Sequence, residues 1–136
     1  MQPSARRERG QALVEFMFVL GLLLTLILGL ICVGQVLLAN YTVSQAARAA
    51  AHQAAIAGGE SEVALSTARD VIDSGVGTSA DQAEVTVACP DPCRRYAPVT
   101  VSVAYTGGFW TPLPPIFTEF TVRASATRAA ERDSQP

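Results

Sequence analysis

Glu15 stands at the mouth of a long apolar run, behind a leader that carries Arg6, Arg7 and Arg9. A carboxylate at the edge of a membrane span is costly, and such groups mark functional sites. Gly10 and Gln11 precede it and Phe16 follows directly. Few other side chains offer chemistry. Cys89 and Cys93 bracket Pro90-Asp91-Pro92, and His52 is the one histidine. Two cysteines at short spacing in an oxidising compartment favour a disulfide that closes a turn. The two prolines restrict that turn, so spacing alone leaves ring closure open. A zinc site usually needs four ligands, and His52 has no motif-like spacing to the cysteines. A redox pair would ordinarily be C-x-x-C in a helix context. Cys32, inside the apolar run, reads as a small buried hydrophobe. No nucleophile–base pair, carboxylate dyad, phosphate loop or metal cluster is present. The reading is a chain that is not an enzyme, with no catalytic residue, metal or cofactor.

The elements that position these residues follow from the distribution of charge. Of 136 residues 49% are hydrophobic and only 16% charged, a low charge share for a soluble domain. The formal net charge of −2 offers no basic surface for nucleic acid. No charge lies between Glu15 and Arg48, and from Phe16 to Gly34 the chain is apolar except for Thr25. A bilayer span needs about 20 such residues. A soluble buried helix of that length would need a protein coat that this chain is too short to supply. The expected span is 16–38. Three leader arginines and a distant Arg48 orient it with residues 1–10 cytoplasmic and the remainder outside the cell membrane.

Several N-terminal signals share an apolar run. A cleaved secretory signal has a core of roughly 7–15 residues and an A-x-A-like site, which Leu37-Leu38-Ala39 matches poorly. A lipoprotein signal wants a small residue before its cysteine, where Ile31 precedes Cys32. An uncleaved signal anchor explains the run but leaves Glu15 without a purpose. Gly10, four intervening residues and then Glu15-Phe16 is the pattern that prepilin peptidases cut, here between Gly10 and Gln11. With the leucine-rich span and the later Val43-Ser44-Gln45-Ala46-Ala47-Arg48-Ala49-Ala50-Ala51, the N-terminus resembles TadE-like proteins. These are minor pilins or pseudopilins of the Tad (Flp) type IV pilus machinery. The resemblance covers about residues 6 to 57; beyond residue 58 it is one of layout. Gly21 lies in the region where many family members carry a proline.

The resemblance implies a role for Glu15. Cleavage would expose the α-amine of Gln11, cationic at neutral pH with a reference pKa of about 7.7–8.0. Glu15 of one subunit could then pair with that amine on a neighbour, relieving a carboxylate held in hydrocarbon. Within the span, Gly21, Thr25 and Gly29 at i, i+4, i+8 share one helical face, which permits close helix approach in membranes. The same composition is also common in spans that pack against nothing.

No proline interrupts Gln11 to Ala57, and Gly58-Gly59 supplies a stop, so 11–57 is expected as one helix of about 70 Å. Its outer half carries Ala47, Ala51 and Ala55 beside Ala46, Ala50 and Ala54, suited to close packing, although alanine is also the best helix former. Residues 61–74 read as a short amphipathic helix. Ala64, Leu65, Ala68, Val71 and Ile72 lie on one face, Ser61 serves as N-cap, and Gly75 and Gly77 end it. Period-2 alternation then marks three strands, at Val85/Val87, at Val99/Val101/Val103/Tyr105 and at Phe120/Val122/Ala124. The fold class is α+β: a long helix, a short helix and a small antiparallel three-stranded sheet in a 58–129 outer domain. Residues 130–136 are expected as a flexible tail. The apolar stretch from Gly107 to Phe117 either caps the sheet or docks a partner, and the small size of the domain favours capping.

The expected function is a pseudopilin-like structural subunit, cut by a prepilin peptidase and assembled with other pilin subunits at the membrane, with no nucleic acid and no small-molecule substrate. The competing reading is an uncleaved single-pass protein whose outer domain binds a ligand or regulates a membrane complex. Membrane-tethered thiol redox chemistry at Cys89 and Cys93 is the third.

Overall fold

The computed structural model describes residues 4–110 and 118–134, with side chains of the first helix described from Gly10 onward. Helix α1 (Ser4–Ile56) runs without a break for 53 residues and is followed by α2 (Ser61–Asp73). A single 3₁₀ turn at Ala80–Gln82 leads into strands β1 (Ala83–Ala88), β2 (Pro98–Gly108) and β3 (Glu119–Ala129). The strands form an antiparallel meander in the order β1-β2-β3. The class is α+β, as the two periodicities of the sequence require.

Register follows from the alternation. Val85 sits opposite Val103 and Val87 opposite Val101, while Tyr105 faces Val122 across the second ladder. Val99, Val101, Val103 and Tyr105 are all buried. Shifting the register by one residue would put that whole set in water. On the opposite, open face, the Thr100 and Thr127 hydroxyls lie 2.9 Å apart and those of Thr106 and Thr121 3.2 Å apart, each joining directly paired residues. Both long strands extend beyond the expected alternation, to Gly108 in β2 and to Ala129 in β3.

The covered face of the sheet meets two helices. α1 packs on α2, β2 and β3, and α2 also reaches β1. Ala46, Ala47, Ala50, Ala51, Ala54 and Ala55 are buried, and Ala39 and Val43 continue the stripe toward the N-terminus. Methyl side chains at these positions let α2 and the sheet approach the α1 backbone closely. Ala64, Ala68 and Ile72 complete the contact from α2. Its N-cap is Glu60, which makes no side-chain capping bond, so Ser61 begins the helix and does not cap it.

α1 ends in a two-glycine stop. Gly59 N–H donates to Ala54 O at 2.7 Å and Gly58 N–H to Ala55 O at 3.3 Å, with Gly58 at φ 72°. That bonding pattern places a left-handed residue just past the helix end, where glycine carries no Cβ penalty. The segment expected as a flexible tail returns to this end. Glu131 N–H donates to Ala55 O at 2.9 Å, and Arg132 Nε–H donates to Ile56 O at 2.5 Å. Helix-terminal carbonyls have no partners within their own helix, and a cation beside them also complements the helix dipole.

Candidate functional site

Gly10, Gln11, Glu15 and Phe16 all lie on α1 and are exposed. The helix begins before them, at Ser4, so the peptide bond between Gly10 and Gln11 is part of a continuous helix. Gly10 lowers local helix stability by about 1 kcal/mol relative to alanine. Glu15 meets no hydrogen-bond or ion-pair partner among the described residues.

Gly21, Thr25 and Gly29 share an exposed face, as their spacing requires. A Cβ built on either glycine would meet nothing within 4 Å. Thr25 Oγ1–H donates to Gly21 O at 2.9 Å, so the one hydroxyl of the apolar run is satisfied within its own helix. Among the described residues, nearly every large apolar side chain from Leu13 to Val33 is exposed. A helix this long and apolar, with none of its most apolar window covered, is able to cross a membrane.

Cys89 and Cys93 are joined as a disulfide with Cα atoms 5.6 Å apart. The bridge closes the turn after β1, contains a cis Asp91–Pro92 bond, and lies against Gly59 at the end of α1. Cys93 O accepts from Ser134 N–H at 2.8 Å, and Arg95 N–H donates to Asp133 Oδ1 at 2.8 Å. The bridge therefore ties the β1–β2 connection to both the helix stop and the returning C-terminal segment. His52 is exposed on the outer half of α1, away from both cysteines in sequence. Among the described residues no group of three or more His, Cys, Asp or Glu side chains is placed to hold a metal.

One residue that sequence reasoning passed over organises the junction between span and domain. Gln35 is the buried polar residue of the core, 5% exposed. Its Nε2–H donates to Gly108 O at 2.7 Å and its Oε1 accepts from Trp110 N–H at 3.1 Å. Extending the buried stripe backward from Val43 through Ala39 at intervals of four reaches Gln35, and that spacing is the signal that could have found it. Of the aromatic stretch, Gly107 and Gly108 belong to β2, and Phe109 packs on Phe120 with ring centroids 5.1 Å apart. Residues 111–117 lie outside the described residues. At the same end Tyr105 Oη–H donates to Gln82 Oε1 at 2.8 Å, and burial pushes its phenol pKa up from 10.0.

Residues 10–52 match the family model of TadE-like proteins, in keeping with the N-terminal motif, span and alanine-rich run. Neither a curated protein nor a solved structure matches the chain.

Proposed function

We propose, from a chain whose residues 10–52 are TadE-like, that this protein is a structural subunit of a Tad/Flp-type pilus or related secretion apparatus. It is anchored by a single pass of α1, with its leader cytoplasmic and its α+β domain outside. A prepilin peptidase cuts after Gly10, and other pilin or pseudopilin subunits are its assembly partners. The observation that carries the reading is the coincidence of three features on one helix. The family match starts at the proposed cleavage glycine, Glu15 is exposed with no partner among the described residues, and the following turns are apolar on every side.

The chemistry asked of these residues is modest. Cleavage creates a cationic amine on Gln11 one helical turn from Glu15, and the carboxylate then has a matching group on an adjacent subunit. In low dielectric such a pair is strongly register-dependent, because a misaligned subunit leaves a bare carboxylate in hydrocarbon. The disulfide of Cys89 and Cys93 fits export to an oxidising compartment. The competing reading keeps the leader and makes the outer domain a ligand-binding or regulatory module. N-terminal sequencing of the protein recovered from its native host separates the two. A mature chain starting at Gln11 is expected; an intact leader, in cells with active prepilin peptidase, refutes the subunit reading.

A further inference from the structure

The span and the outer domain meet at a measurable height. Glu15 and Gln35 are separated by 20 residues of unbroken helix, about 30 Å at 1.5 Å per residue, which equals the thickness of the hydrocarbon core. With Glu15 at one edge of that core, Gln35 lies at the other. Gln35 in turn holds the backbone of Trp110 by a direct hydrogen bond, so Trp110 is fixed at the level where α1 leaves hydrocarbon.

The indole is also held from a second side. A Cβ on Gly77 would come within 2.0 Å of Trp110 Cζ2, and Gly77 has φ 72°. The ring therefore lies directly on the loop after α2, in space that only glycine leaves open. Yet Trp110 remains 55% exposed, and Val76 beside it is 69% exposed. On α1, Tyr41 is 66% exposed with its Cα about 9 Å above that of Gln35, and because helix side chains tilt toward the N-terminus its ring reaches back toward the headgroup layer. Tryptophan and tyrosine are enriched at that layer because each has an apolar body and a polar tip. The charges nearest this end in the fold, Asp73, Asp81 and Glu119, are acidic, so attraction to anionic lipid is not the driving force.

We propose that this end of the outer domain is seated in the headgroup layer of the bilayer through Trp110, Val76 and Tyr41, docking the domain on a zwitterionic lipid surface. The proposal rests on reading α1 as a membrane span. Docking rests on apolar and aromatic contact and therefore needs no anionic lipid.

Trp110 is the single tryptophan of the chain and reports directly on its own surroundings. The full chain is reconstituted in phosphatidylcholine vesicles and its emission recorded. The expected result is blue-shifted emission, stronger quenching by lipids brominated near the ester carbonyls than by lipids brominated near the chain ends, and weak quenching by aqueous acrylamide. Water-like emission with free acrylamide access overturns the docking, and so does shielding from both lipid and water, which would mean cover by a second copy. A companion chain with Trp110→Phe and Leu24→Trp places the reporter mid-span. Strong quenching by chain-end bromines there, with no lipid quenching of Trp110, removes the docking while keeping the span. Absence of quenching at both positions removes the span and the docking together. Val76→Asp, at an exposed position, is expected to shift Trp110 emission to the red; unchanged emission counts against the seat.

Discussion

Substituting Gln35 by leucine would leave Gly108 O and Trp110 N without their partner while keeping the side-chain volume. An unsatisfied backbone group costs about 1–3 kcal/mol when buried, and exposure of Gly108 puts the loss toward the lower end. Thermal unfolding of the Gln35→Leu chain in detergent should show a midpoint lower by about 4–8 °C. Tyr105 supplies a pH test. Its pKa is raised in the folded state by burial, so the native protein holds the phenolic proton more tightly than the unfolded chain. That contribution is fully present below the unfolded value near 10 and is lost as pH rises through the folded value. Denaturant titrations from neutral to alkaline pH should therefore show falling stability above pH about 10, and Tyr105→Phe should flatten the decline. At Glu15 the consequence is one of assembly. Glu15→Ala should insert into the membrane normally and fail to support piliation; a mutant with normal pili would refute the pairing role.

Among the elements, α1 carries the tightest constraint. Its alanines touch α2 and the sheet at once, so Ala50→Leu adds three heavy atoms where no space exists. Overpacking of this kind costs about 1–3 kcal/mol, and His52→Leu, on the exposed side of the same helix, should cost little. Urea titration of the two variants distinguishes a packed stripe from one chosen for helix propensity alone. The stripe was legible in the sequence because small residues recur at helical spacing, and the strands were legible because valines alternate. Their ends were not. Thr106-Gly107-Gly108 and Ser125 to Ala129 carry no apolar alternation, and they are strand because β2 and β3 are antiparallel partners along their full length. The start of α1 at Ser4 was likewise hidden. The expected boundary at Gly10 came from the processing pattern, whereas backbone helicity depends on propensity and continues through it.

For the molecule as a whole, the exposed run from Gly10 and the packed stripe from Gln35 divide one helix between two environments. The motif residues of the candidate site were readable because charge is so rare near them. Gln35 was not, because a lone polar residue at the end of an apolar run is silent until its partners 73 and 75 residues away are known. The closure of the distal end was silent for the same reason, since Glu131 to Ser134 gain partners only when Ala55, Ile56, Cys93 and Arg95 are near. The continuity of α1 also has a mechanical meaning. The helix that is free along its first half is the packing centre of the domain along its second, and no proline or unpaired turn between them offers a hinge. Anchor and domain thus move as one lever. From Gln35 to Ile56 the arm is about 30 Å, so a 10° lean of the first half would swing the disulfide end through about 5 Å. Torque applied to the anchor would turn the outer surface by the same angle.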